Sequence, residues 1–322
     1  FVGYFDSQNG VYVSYPITAD SIPDKNDSNY SSYNRIETSF ILSVYSTSSE
    51  ESPLPIYTYS DLIKMQSGGY YILLNDITLP SVAVEGGSAA FTPLNGNFAS
   101  FDGNGHSINF AGTYDMGASS EIGLFSTLSD ESTVKNLIVN YISSADGNDL
   151  NNDANDSIYG LNGLRTVKFI TSADSFVFGS IAAENQGIIT NCQVYTERNE
   201  QDEYYLAVKA DNALAGSSFI GGIAGRNSGY ITNCGVSINA KAPFNLAGIV
   251  AQNNNKIAAC YFKEGKLINN SQQDQHVAGM AIENSKDSQI ITSYVSGEET
   301  NTNLYSHDSE SYITSTLSGA GF

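Results

Sequence analysis

Ile220-Gly-Gly-Ile-Ala-Gly-Arg-Asn-Ser-Gly-Tyr-Ile-Thr-Asn-Cys234 returns in altered form at other points of this 322-residue chain. Phe178-Gly-Ser-Ile-Ala-Ala-Glu-Asn-Gln-Gly-Ile-Ile-Thr-Asn-Cys192 precedes it, and Leu246-Ala-Gly-Ile-Val-Ala-Gln-Asn-Asn-Asn-Lys-Ile-Ala-Ala-Cys260 follows. A looser copy begins at Val277-Ala-Gly-Met280 and runs on to Ile291-Thr-Ser-Tyr294. The earliest is Ile122-Gly-Leu-Phe125, followed by Val134-Lys-Asn-Leu137. Self-similarity of this kind decides an architecture before any single motif does. Each copy has a first apolar anchor (Leu124, Ile181, Ile223, Ile249, Met280) and a second (Val134, Ile189, Ile231, Ile257, Ile291). The anchors lie 8 residues apart in the three central copies and 10 or 11 apart in the outer two.

After the second anchor, Val134/Leu137/Val139, Ile189/Cys192/Val194, Ile231/Cys234/Val236 and Ile257/Cys260/Phe262 fall at i, i+3, i+5. A plain strand keeps one face at i, i+2, i+4. The extra residue implies a bend that leaves both flanking side chains inward. Asn136, Asn191 and Asn233 occupy it, and Asn is among the few residues with a side chain that tolerate the left-handed region. In the last two copies Ala259 and Ser293 stand where the bend Asn is expected, so those coils are expected to turn differently. Periods are irregular, 42 residues from Cys192 to Cys234 and 26 from Cys234 to Cys260. A coil of roughly 20–25 residues with loops inserted at one corner accounts for this. Such coils cannot bury an apolar face alone and must stack. The expected fold class is therefore all-β: a right-handed parallel β-helix, or β-solenoid, with a short N-terminal capping helix and inserted loops. Its hand follows the general preference of parallel crossovers. A β-sandwich is the rejected alternative, because five copies share two anchors and four share a third.

Composition narrows the function. Fourteen Lys and Arg face 34 Asp and Glu, for a net charge of −20, and only 15% of residues are charged. Nucleic-acid affinity comes mainly from cations displacing counterions, so a nucleic-acid partner is excluded. Anionic lipid surfaces are disfavoured for the same reason. No apolar run approaches the ~20 residues that span a bilayer, so no membrane insertion is expected. The chain opens on Phe1 without a basic and apolar leader, which reads as a signal peptide absent or already removed. Low Lys content with abundant Tyr, Thr, Ser and Asn resembles exported surface proteins. Sequons at Asn26, Asn29, Asn155 and Asn269 carry little weight in so Asn- and Ser-rich a sequence. Cys192, Cys234 and Cys260 are an odd number at one repeat position, and are expected as an inward row of free thiols rather than a disulfide or a zinc site.

The first third carries a different signature. Thr58 to Gln66 reads as a short helix with Ser60 as N-cap, stopped by Gly68-Gly69. Tyr70-Tyr-Ile-Leu-Leu74 and Asn75-Asp-Ile-Thr-Leu79 read as strand and turn, and Asp102-Gly-Asn-Gly105 as a strong turn. This order, with Phe91-Thr-Pro-Leu94 and Phe98-Ala-Ser-Phe-Asp-Gly-Asn-Gly-His106, resembles the start of bacterial GLUG-motif β-helix proteins. Gly123-Leu-Phe125 with Val134-Lys-Asn-Leu137, and Gly221 to Cys234, resemble the GLUG repeat itself. That family includes surface adhesins and the non-catalytic β-helical regions of immunoglobulin A-specific metallopeptidases. The resemblance spans about residues 57–297 and implies a helix-capped right-handed β-helix exposed outside the cell, with no activity attached. The expected organisation is an accessory β segment or arm at 1–56, the parallel β-helix at 57–297, and a C-terminal tail or capping strand at 298–322. Val11 to Tyr15, Phe40 to Tyr45 and Tyr312 to Leu317 read as strands in the flanking parts.

Chemistry is sparse. No His-Glu-x-x-His occurs, and His106, His276 and His307 lie far apart. Asp76, Asp102 and Asp115 are accounted for by turns, and Arg165, Arg198, Arg226 and Lys241 are scattered. The loop Asp146-Gly-Asn-Asp-Leu-Asn-Asn-Asp-Ala-Asn-Asp156 begins like a calcium loop at Asp149, Asn151 and Asp153. Ala154 replaces its turn Gly and Gly160 its twelfth-position Glu, so a solvated acidic insertion is the preferred reading. A second insertion, Glu197 to Glu203, has Tyr195, Tyr204 and Tyr205 nearby and suits protein or glycan recognition. No catalytic, cofactor-binding or metal-binding residue is assigned. The expected function is a secreted or cell-surface adhesive or structural module without catalysis, its partner a protein or glycan on another surface or copies of itself. The alternatives are an extracellular filament subunit joined by terminal strand exchange, and a glycan-active lyase or hydrolase.

Overall fold

The computed structural model describes residues 3–6, 11–14, 48–81, 91–144, 161, 163–198, 204–210, 213–269 and 276–296. The chain divides into two compact units, 1–47 and 48–322. In the first, Gly3–Asp6 pairs antiparallel with Val11–Ser14. The strands expected at Phe40–Tyr45 and Tyr312–Leu317 lie outside the described residues.

The described residues of the second unit are all-β but for one turn of α-helix and a 3-10 turn at Ala215–Ser217, and its five sheets are parallel. From Leu94 onward the chain visits them in a fixed cycle, numbered here I to V. In the best-defined pass it runs through Tyr230–Thr232 (sheet I), Gly235–Ser237 (II), Asn239–Ala242 (III), Asn245–Ala247 (IV) and Val250–Asn253 (V). It then re-enters sheet I at Lys256–Ala258, in register with the strand it left: Ile231 lies beside Ile257. Sheet I holds eight strands, sheet II seven, sheet V six, and sheets III and IV five each.

The bend between sheets I and II is as the spacing requires. Asn136, Asn191 and Asn233 have φ of 54°, 52° and 53°, and the residues after them, Leu137, Cys192 and Cys234, are fully buried. The expectation of a different turn in the later copies is corrected. Ala259 adopts φ 53° at the same place, and in the last copy the bend falls on Thr292, φ 47°, with Ser293 in the buried row. The second anchor of that copy is therefore Ile290, which pairs with Ile257, and not Ile291, which lies beside Ala258. The cause is the corner between sheets V and I, four residues there (285–288) where the central copies use two. A one-residue slip in a strand exchanges its faces, which is why the anchor moves.

Most of the irregularity in period comes from two corners rather than one. Between sheets II and III the chain inserts residues 143–164 in one pass and 197–203 in the next. Between sheets III and IV it inserts 171–176, 210–218 and 270–276. The corner between IV and V never varies: Gly123-Leu124, Ser180-Ile181, Gly222-Ile223, Gly248-Ile249 and Gly279-Met280. Backbones of successive passes touch there, and a Cβ on Gly222 would sit 2.0 Å from the carbonyl oxygen of Gly248. The helix is shorter than expected, Tyr59–Leu62, and its N-cap is Thr58 rather than Ser60. The Thr58 hydroxyl accepts from the Asp61 N–H, and the Asp61 carboxylate accepts from the Thr58 N–H, a capping box that fixes the start two residues earlier. Burial pushes the Asp61 carboxyl up, but these bonds outweigh it and hold it below its usual value.

Inward side chains of all five sheets join in one apolar cluster. Its early passes are aromatic, with Phe98, Phe101, Phe110, Tyr114, Phe125 and Phe169 in edge or stacked contact. Later passes use Ile, Val, Ala and Cys. One polar row runs through the interior. Asn185 Nδ2 donates to Asn227 Oδ1 at 2.7 Å, Asn227 to Asn253 at 2.8 Å, and Asn253 to Asn284 at 2.8 Å. The row stops at Leu128, the register partner of Asn185, which leaves Asn185 Oδ1 buried without a donor.

A side chain other than Gly or Asn costs about 1–2 kcal/mol in the left-handed region. Ala259→Asn should therefore raise the urea midpoint, by about 1 kcal/mol in stability, and Asn233→Ala should lower it by a similar amount. Equal signs for the two would remove the bend from the stability of the fold. Asn227→Ala breaks two buried amide bonds and should cost about 2–4 kcal/mol. The neighbouring half-buried ion pair of Arg226 with Glu184, at 2.7 Å on the outer face, should lose about 1 kcal/mol in Arg226→Ala.

Candidate functional site

The residues with catalytic chemistry in the sequence are occupied in closing turns. His106 Nδ1 lies 3.2 Å from Asp76 Oδ1, which also accepts from the Ser107 N–H at 2.8 Å. That backbone bond, helped by His106 and opposed by burial, holds the Asp76 carboxyl below its usual range. Asp102 Oδ1 accepts from the Asn104 N–H at 2.8 Å and from Asn136 Nδ2 at 2.9 Å, so it braces two successive corners. Asp115 accepts from the Gly117 N–H at 2.9 Å. Asn245 Oδ1 accepts from the His276 backbone N–H, and His307 lies outside the described residues. Among the described residues no group of three or more His, Cys, Asp or Glu is placed to hold a metal ion.

The calcium-like loop Asp146–Asp156 lies outside the described residues, as do 199–203 of the second insertion. The tyrosines expected to decorate that insertion are redistributed. Tyr204 and Tyr205 open the sheet III strand Tyr204–Lys209, which begins directly after the insertion, and are buried there. Tyr195 faces outward from sheet II, half-buried.

Cys192, Cys234 and Cys260 form the expected inward row of free, buried thiols. Cys234 Sγ accepts from the Cys192 N–H at 3.5 Å, and Ser293 Oγ accepts in the same way from the Cys260 N–H at 3.1 Å. Burial pushes the Cys234 thiol far up, while the hydrogen bond with Cys234 and then burial do the same to Cys260. Neutral thiols at this depth are neither nucleophiles nor metal ligands.

The most organised outward feature is the face of sheet II. Directly after the Cys/Ser row, Gln193, Gly235, Tyr261 and Tyr294 stand side by side on four neighbouring strands. Gln193 Oε1 accepts from both the Tyr195 hydroxyl at 3.0 Å and the Tyr261 hydroxyl at 2.8 Å. To reach Gln193, two strands away, the Tyr261 ring lies across Gly235, where a Cβ would come within 2.2 Å of the ring. Tyr294 stacks on Tyr261 with ring centroids 5.5 Å apart and planes inclined by 18°, and is 50% exposed. Lys263 Nζ stands 5.5 Å from the Tyr261 centroid and 3.9 Å from Glu264 Oε1. Burial, then the neighbouring Tyr261, pushes the Tyr195 hydroxyl up, so it remains a donor. The next column, which begins two strands earlier in the sheet, is Asn109, Asn140, Tyr195 and Ser237, with Asn140 Nδ2 donating to Asn109 Oδ1 at 3.1 Å.

The roles of Gln193, Tyr261, Lys263 and Tyr294 in this face are absent from the sequence reading. Their shared signal is position, since Gln193, Tyr261 and Tyr294 each follow the buried residue of the bend. Comparisons with family models, with curated proteins and with solved structures return no match.

The buried thiols should resist a thiol reagent at pH 8 in the folded protein and all react once it is unfolded in urea. Rapid labelling of the native chain would place at least one of the three at a solvent-accessible site.

Proposed function

We propose that the second unit is a right-handed parallel β-helix of the GLUG-motif kind, displayed or released outside the cell as an adhesive or structural module without catalysis. The observation that supports the solenoid is the fixed cycle of five parallel sheets with the same residue types in register on successive passes. Parallel crossovers are almost always right-handed, which gives the hand. Thr58 to Ile63 then serves as the cap of the first pass, covering apolar side chains that the following passes bury against each other. The non-catalytic reading is supported by the commitment of Asp76, Asp102, Asp115 and His106 to corners. The extracellular reading rests on the resemblance of the repeats and on the polar, Lys-poor composition.

The test has two arms. In the source organism, antibody labelling and protease treatment of intact cells should find the chain at the surface or in the medium; retention inside the cell overturns that part. Incubated with a panel of polysaccharides, the purified chain should release no shorter products. Reproducible cleavage that Glu184→Gln, Asp102→Asn or His106→Ala abolishes would replace the module with an enzyme.

A further inference from the structure

The outward face of sheet II carries no carboxylate among its described residues, in a chain of net charge −20. Its described outward residues are Thr78, Ser107, Asn109, Ala111, Ile138, Asn140 and Ile142, then Gln193, Tyr195, Gly235, Ser237, Tyr261, Lys263, Tyr294 and Ser296, without one carboxylate. Its single cation, Lys263, has Glu264 at 3.9 Å. Polyanions have little to hold there, since they need several uncompensated cations. What the face offers is ring surface beside amides and hydroxyls. The hydroxyls of Tyr195 and Tyr261 are spent on Gln193 Oε1, which fixes the rings, and Tyr294, stacked on Tyr261 and half exposed, presents the contact surface. Among the described residues Gln193 Nε2 donates to no protein group. The aromatic and polar columns both run across the strands, which lie about 4.8 Å apart, and the two adjacent rings, Tyr261 and Tyr294, have centroids 5.5 Å apart.

We propose that this face binds a neutral, extended polysaccharide. Apolar C–H faces of its sugar rings pack on Tyr294 and the accessible part of Tyr261, and its hydroxyls bond with Gln193 and Asn140. An aromatic surface pinned in place loses little side-chain entropy on binding, and ring faces carry a negative potential that attracts polarised C–H groups. Gly235 is part of the site because it lets the Tyr261 ring lie flat across the sheet. The inference names the partner of the proposed adhesive module and rests on that reading, but its failure is separable: a chain found at the cell surface that ignores neutral polysaccharides keeps the module and loses this ligand.

Native affinity electrophoresis through gels containing a mixed-linkage β-glucan, a glucomannan or a galactomannan, with polygalacturonate as the anionic comparison, tests it. At least one neutral polymer should retard the chain, and about 0.5 M sodium chloride should not release it, because the contact is uncharged. Tyr294→Ala should weaken retention by about tenfold, whereas Tyr294→Phe, which keeps the ring, should hold within about threefold. Gly235→Ala should also weaken it by displacing Tyr261, and Tyr230→Ala, on sheet I and equally exposed, should change nothing. Thermal unfolding of each variant separates lost binding from lost fold. No retardation by any neutral polymer, retention confined to polygalacturonate, or retention unaffected by both Tyr294→Ala and Tyr261→Ala overturns the proposal.

Discussion

Between sheets I and II the chain changes direction in two residues, and both neighbouring strands must still send a side chain into the same core. A backbone can do that only if one of the two enters the left-handed region. Asn136, Asn191, Asn233, Ala259 and Thr292 all do so. The residue after each is delivered inward as Leu137, Cys192, Cys234, Cys260 or Ser293. Because this corner never lengthens from the Asn136 pass onward, sheets I and II stay in register however much chain is inserted elsewhere. The long insertions between II and III and between III and IV are tolerated because a loop's closure cost grows only slowly with its length.

Stacking in register places like residues beside like, and that constrains which residues are admissible. Ile beside Ile fills a core row, and Cys beside Cys does so as a small apolar group. Asn beside Asn is admissible because an amide both donates and accepts, so each step of the row from Asn185 through Asn227 and Asn253 to Asn284 is bonded, and only the Asn185 Oδ1 at its end lacks a donor. Buried charges in the same position would repel. The chain keeps its acids off these rows and uses those at the corners as hydrogen-bond acceptors for backbone N–H groups, as Asp76, Asp102 and Asp115 show.

The parallel, repeating β architecture was legible from the i, i+3, i+5 spacing because a backbone necessity forces particular residues at particular places. In the last copy the sequence points to Ile291, one residue past the anchor Ile290, because the corner before it is two residues longer and nothing in Ser285–Ser288 announces where the next strand begins. The N-cap was placed at Ser60 instead of Thr58 since either hydroxyl can cap a helix, and only the reciprocal bond to Asp61 discriminates. The tyrosine face escaped notice for a different reason. With 21 tyrosines in the chain no single one stands out. What distinguishes Tyr261 and Tyr294 is the glycine and glutamine on strands far away in sequence, a relation that exists only across the sheet.

The pass from Ile231 to Ile257 is 26 residues long and carries the same groups at both of its edges: Asn227 and Asn253, Ile231 and Ile257, Cys234 and Cys260. A segment whose upper and lower edges are interchangeable is a unit of inheritance as well as of structure. Copying or deleting it in the gene keeps the Asn, Ile and Cys rows continuous. The length of the array is thereby free to drift under selection without the fold having to be solved again.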